Sequence, residues 1–203
     1  MNTLRRSALL GLLAFCFLPQ SLAAETLGPA GGTGGTSATS GCGTIVVPAP
    51  FYRTAPFMLV GVAGRNGKWL DQLRGICMRF TGVNRTAIWR GDPAQGTSFG
   101  GQGGEPFQRV CPRNQAVVGF RGRAGFYVDR LQIGCQAFTD SGQPIGAITW
   151  LTPVGGTGGA PFGPLRCAAN GAVQFLSGRG GSYVDSIGLE CTAFQFDFKP
   201  DNE

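Results

Sequence analysis

Three aspartates each close a repeated turn: Gly67-Lys68-Trp69-Leu70-Asp71, Gly125-Phe126-Tyr127-Val128-Asp129 and Gly181-Ser182-Tyr183-Val184-Asp185. An ionised carboxylate accepts several hydrogen bonds in fixed directions, and such charge-assisted bonds are the stronger kind. The aromatic two residues earlier offers an apolar face beside it. A second repeated element reads Gly31-Gly32-Thr33-Gly34-Gly35, Gly100-Gly101-Gln102-Gly103-Gly104 and Gly155-Gly156-Thr157-Gly158-Gly159. A loop so bare of side chains lets a flat ligand reach main-chain N–H groups. One glycine cluster alone would read as a flexible linker. Three in register with the turns mark a fixed backbone. The alternative for each aspartate is a turn carboxylate that bonds only neighbouring N–H groups.

Other chemistries are poorly supplied. The chain has no histidine, which removes histidine-based triads and histidine metal sites. A glycosidase needs two carboxylates within about 5–10 Å, and the recurring aspartates belong to different repeats. An enzyme is not expected, and no metal or cofactor is implied.

The elements that carry these groups repeat as a unit. From each aspartate it is six residues to a cysteine (Cys77, Cys135, Cys191) and nine to a phenylalanine (Phe80, Phe138, Phe194). Such self-similarity points to a repeat architecture. Each unit also owns one early cysteine, Cys42, Cys111 or Cys167. One early and one late cysteine per repeat predicts Cys42–Cys77, Cys111–Cys135 and Cys167–Cys191, each worth about 3–4 kcal/mol in the chain-entropy model.

Between the loops the pattern is β. Leu131, Ile133, Cys135 and Ala137 alternate with Arg130, Gln132, Gly134 and Gln136. Ile187, Leu189, Cys191 and Ala193 alternate in the same way with Ser186, Gly188, Glu190 and Thr192. Period two argues strands with one buried face. Further strands are expected at residues 116–120, 87–89 and 145–150. No stretch shows helical periodicity, so the chain reads as all-β.

The first unit is irregular: it carries extra residues with Pro48, Pro50 and Pro56, a loop insertion, and Arg79 stands where the others have Ala137 and Ala193. The third, ending at Phe196-Asp197-Phe198, lacks a later strand, so residues 25–30 are expected to complete its sheet and cover an open edge. The repeats run over about 31–99, 100–154 and 155–196, within one domain, residues 25–203.

Residues 1–24 read as a secretory signal. Arg5 and Arg6 precede an apolar core, and Ser21-Leu22-Ala23-Ala24 gives small residues for cleavage. Lipoprotein and twin-arginine variants fit less well. No membrane span is expected, and the destination is the periplasm or the exterior, where six paired cysteines are at home. The net charge of +6 becomes +4 without Arg5 and Arg6, with no basic run, so nucleic acid is not an expected partner.

The three motif pairs resemble those of the jacalin-related lectins, particularly the griffithsin-like members with a complete pair in every blade. The resemblance spans residues 26–196. It implies a β-prism I fold of three four-stranded antiparallel sheets with pseudo-threefold symmetry. It also implies up to three carbohydrate sites. In them Asp71, Asp129 and Asp185 accept from hexose hydroxyls, with Trp69, Tyr127 and Tyr183 beside them and Gly67, Gly125 and Gly181 shaping the turns. Ring closure would set Asp71 beside Gly104, Asp129 beside Gly159 and Asp185 beside Gly35. Partners would be glycans of mannose or galactose type, or acidic ones, and related lectins often form homodimers. The cysteines depart from that family and resemble the vitelline membrane outer layer proteins, also β-prisms. These favour the alternative, a disulfide-stapled structural or protein-binding module without sugar affinity. Arg65, Arg123 and Arg179, in Gly-Arg-x-Gly, are expected to hold the turns through backbone carbonyls, or else to recruit acidic sugars.

Overall fold

A computed structural model describes residues 24–43 and 57–194. Residues 1–23 of the signal segment, the prolines of the insertion and Phe196-Asp197-Phe198 lie outside the described residues. No helix among the described residues is long and apolar enough to cross a membrane.

The strands in chain order are β1 (Glu25–Gly31), β2 (Thr36–Gly41), β3 (Phe57–Asn66), β4 (Leu70–Val83), β5 (Thr86–Gln95), β6 (Phe99–Gly100), β7 (Glu105–Val110), β8 (Gln115–Ala124), β9 (Val128–Phe138), β10 (Pro144–Trp150), β11 (Val154–Gly155), β12 (Ala160–Arg166), β13 (Gly171–Gly180) and β14 (Val184–Ala193). They form three antiparallel sheets. The first runs β5-β4-β3-β7 and the second β10-β9-β8-β12, with the two-residue β6 and β11 pairing β4 and β9. The third runs β1-β14-β13-β2. Strand β1 lies along β14, with Glu25 opposite Cys191 and Gly31 opposite Ser186. The N-terminal strand therefore occupies the edge that the third unit leaves open.

Side-chain alternation explains how the sheets meet. Leu131, Ile133 and Cys135 are buried on β9, while Arg130 before them and Gln132 among them are half-buried on the other face. The inward rows of all three sheets join in one core with Leu59, Leu73, Phe120, Leu176 and Leu189. A second cluster gathers Phe80, Phe138 and Phe194, all fully buried. Phe138 stacks on Phe194 at 4.4 Å between centroids, and Phe80 meets Phe194 edge to face at 4.9 Å. The repeated phenylalanine thus closes the space between the three sheets.

Each sheet straddles two sequence repeats. A glycine loop and the strands on both its sides stay in one sheet; the chain crosses to the next at the early cysteine. Cys111 N–H still bonds Val60 O on β3, Cys167 N–H bonds Val118 O on β8, and Cys42 N–H bonds Gln174 O on β13. The bridges are Cys42–Cys77, Cys111–Cys135 and Cys167–Cys191, so each crossing point is tied to the sheet that follows it. Arg79 is half-buried, as Ala137 and Ala193 are, and its guanidinium lies 5.2 Å from the Phe57 ring.

Candidate functional site

The turns after β3, β8 and β13 carry the Gly-x-aromatic-x-Asp motifs. Each aspartate is the second residue of the following strand. The matching glycine loop hydrogen-bonds it through the main chain: Gly101 N–H to Asp71 O at 2.6 Å, Gly156 N–H to Asp129 O at 2.7 Å, Gly32 N–H to Asp185 O at 2.8 Å. The loops therefore lie against the aspartates that the repeat phase assigns to them.

The side chains are close as well. A Cβ on Gly104 or Gly35 would stand 2.5 Å from Oδ2 of Asp71 or Asp185, and Gly159 is in the same relation to Asp129. These glycines also hold φ of +65°, +59° and +64°, where a side chain is strained. Across the gap, Gly67, Gly125 and Gly181 are exposed. A Cβ there would meet Oδ2 of Asp71, Asp129 or Asp185 only at 3.7, 3.9 and 3.8 Å, ordinary contact. Packing does not demand glycine at those positions, and its absence of side chain leaves the approach to the carboxylate bare.

The carboxylates lie deep. Asp71, Asp129 and Asp185 are 6%, 4% and 6% exposed. Burial pushes the Asp71 carboxyl above its usual range, while the nearby Arg65 charge and N–H groups of Asp71 and Gly67 act the other way. Asp185 Oδ2 is buried and has no hydrogen-bond partner among the described residues.

The three arginines hold the loops. Arg65 Nε and Nη2 donate to Gly103 O and Gly104 O at 2.8 and 2.7 Å. Arg123 does the same to Gly158 O and Gly159 O at 2.7 and 2.6 Å. Arg179 donates to Gly34 O and Gly35 O at 2.7 and 2.6 Å and adds Ser37 Oγ at 3.0 Å. A planar fork suits two successive carbonyls.

Two arrangements escaped sequence reasoning. Trp69, Tyr127 and Tyr183 do not each lie apart with one aspartate; they converge, with centroids 5.4, 4.9 and 4.9 Å apart. The Lys68 ammonium lies 4.7 Å from the Trp69 ring. Moreover, each glycine loop touches a turn of another sheet. A Cβ on Gly32 would collide with Phe126 O, on Gly101 with Ser182 O, and on Gly156 with Lys68 O. The variable residue of one turn therefore borders the glycine loop that covers the aspartate of a different sheet. Only the equal length of the three hairpins hinted at this.

Solved structures share this architecture. Malaysian banana lectin superposes with a TM-score of 0.53 at 21% identity, covering 84% of this chain and 99% of that one. A mannose-binding lectin from Champedak gives 0.56 at 16%, covering 85% and 99%. The fold is a β-prism I. An artocarpin–mannotriose complex gives 0.56 at 17%, covering 83% and 97%. No family model and no curated protein matches the chain. At these identities the likeness concerns the β-prism itself.

Proposed function

We propose that this β-prism is an exported carbohydrate-binding protein with up to three hexose sites. Each site consists of an aspartate, its Gly-x-aromatic turn and the adjacent Gly-Gly-x-Gly-Gly loop. The observation that carries the reading is Asp185 Oδ2, a buried acceptor with no partner among the described residues, beneath backbone kept bare by Gly35 and Gly181. A buried acceptor left unpaired is costly, and a sugar hydroxyl supplies the missing donor. Mannose-type glycans come first, because the Champedak and artocarpin neighbours are described as mannose-binding and mannotriose-bound; galactose-type and acidic glycans rank behind. One hexose gains little from so few contacts, so useful affinity comes from several sites engaging one branched glycan. Export to the periplasm or exterior, and assembly as a homodimer, belong to the same proposal.

A second reading has its own support. The aspartates are almost wholly buried and the arginine forks hold every loop without a ligand. A structural or protein-binding prism would need no more. Calorimetry of the mature protein with mannotriose and a branched mannan decides between them. Binding that an Asp71→Ala, Asp129→Ala, Asp185→Ala triple variant abolishes, with its fold intact, supports the lectin. Equal behaviour of both proteins on these ligands and on a glycan array leaves the structural module.

A further inference from the structure

Each sheet bears a shallow groove on its outer face, and pseudo-symmetry makes the three directly comparable. The groove of the third sheet contains one arginine, Arg179, whose donors go to Gly34, Gly35 and Ser37. That of the first contains Arg65 and Arg74. The groove of the second sheet, about 370 Å³, contains Arg121, Arg123 and Arg130 together with Gln132 and Phe162.

Register puts these charges in conflict. Arg123 stands directly opposite Arg130 on the β8–β9 pair, and Arg121 opposite Gln132. Like charges directly opposite each other destabilise a sheet. The corresponding pairs elsewhere are neutral on one side, Arg65 opposite Gln72 and Arg179 opposite Ser186. No ion pair among the described residues offsets the arginines of the second sheet. Arg121 uses Nε on Gln132 Oε1 and Arg130 uses Nε on Gly156 O, and no acceptor among the described residues holds their Nη groups. The Arg121 guanidinium lies 4.4 Å from the centre of the Trp150 ring.

We infer that the outer groove of the second sheet binds an anionic polysaccharide, one bearing sulfate or carboxylate groups. Guanidinium forks donate to such oxyanions two bonds at a time, Gln132 can bond hydroxyls, and Pro153 with Pro161, which stands opposite Arg123, lines the groove with apolar surface for sugar C–H faces. A nucleic acid would want open aromatic faces for its bases, and Arg121 occupies the Trp150 ring. An anionic membrane would want projecting apolar groups on the same face; the projecting Phe126, 88% exposed, sits on a turn at the end of the prism instead. The groove shares Arg123 and the Arg130–Gly156 bond with the loop of the Asp129 site but uses none of the three carboxylates, so it stands whether or not they bind hexoses.

The test is surface plasmon resonance of the mature protein on immobilised heparin, a sulfated polysaccharide, across a salt series. Wild type should bind, with affinity falling as salt rises. Arg121→Gln with Arg130→Gln should weaken binding at least fivefold. The charge-matched pair Arg85→Gln with Arg113→Gln, exposed arginines outside the groove, should change it less than twofold. Equal loss in both pairs, or binding of wild type to phosphatidylserine vesicles or duplex DNA as tight as to heparin, overturns the inference. The triple aspartate variant keeps heparin binding, so loss of mannan binding alone tells against neither this site nor its assignment.

Discussion

Trp69 and Tyr183 meet edge to face at 4.9 Å between ring centroids, although their turns belong to different sheets. With Tyr127 they form a half-buried aromatic triad where the three turns converge. Aromatic pairs of this geometry contribute about 0.5–1.5 kcal/mol beyond buried area. Trp69→Ala should therefore cost about 2 kcal/mol of stability, less than a full core truncation. The denaturant midpoint checks it; an unchanged midpoint would mean that the triad holds nothing together.

Gly104→Ala places a methyl group against Asp71 Oδ2 and the Asn66 carbonyl, at a residue with φ of +65°. Strain of about 1–3 kcal/mol is expected. The first site should lose its ligand while the other two keep theirs. Resonances of Gly67 and Gly101 then cease to shift on adding mannotriose, and those of Gly125 and Gly181 still do.

Arg179→Lys replaces a fork by a point charge and loses at least one of the bonds to Gly34 O and Gly35 O. The loss should be about 1 kcal/mol. Amide exchange should quicken in loop 31–35 and stay unchanged in loop 100–104, whose Arg65 is intact.

Phe126→Ala should alter ligand preference at the Asp185 site more than at Asp129, because the turn against which loop 31–35 rests is the one that carries this 88% exposed side chain. Titrating the Phe126→Ala protein alongside versions that keep a single aspartate separates the two. An effect confined to Asp129 would contradict the cross-sheet arrangement.

Burial sets a pH dependence for Asp71, whose carboxyl titrates above the usual 3.8. The folded chain then binds the proton more readily than the unfolded one, so this residue's contribution to stability falls as pH rises from 3.8 through the folded value. Ligand binding runs the opposite way, since protonation removes the charged acceptor. Affinity at the first site should drop as pH falls through the same window. Asp71→Asn should flatten both trends, read by thermal unfolding and calorimetry between pH 3 and 7.

Much of the architecture was legible because it is periodic. Leu131, Ile133 and Cys135 alternate with polar neighbours, which makes β9 a strand with one buried face. One early and one late cysteine per unit selects three bridges from the many that six cysteines allow. The phase of two repeated motifs sets Asp71 next to Gly104, and the structure places them there. Arg121 and Arg130 escaped attention because neither belongs to a repeated motif. Their opposition to Gln132 and Arg123 depends on strand register, which a bulge between Val117 and Gly119 resets.

By itself, then, the sequence determined the strands with clear alternation or apolar runs, the disulfide partners and the threefold repetition, all properties of spacing along the chain. Tertiary structure alone decided that three aromatics share one cluster, that Phe126 borders the Asp185 loop, and that the carboxylates are 4–6% exposed. Those relations join residues from separate sheets, or depend on how closely a loop settles on a turn. They come into being only when the three sheets close on one another and exclude water between them.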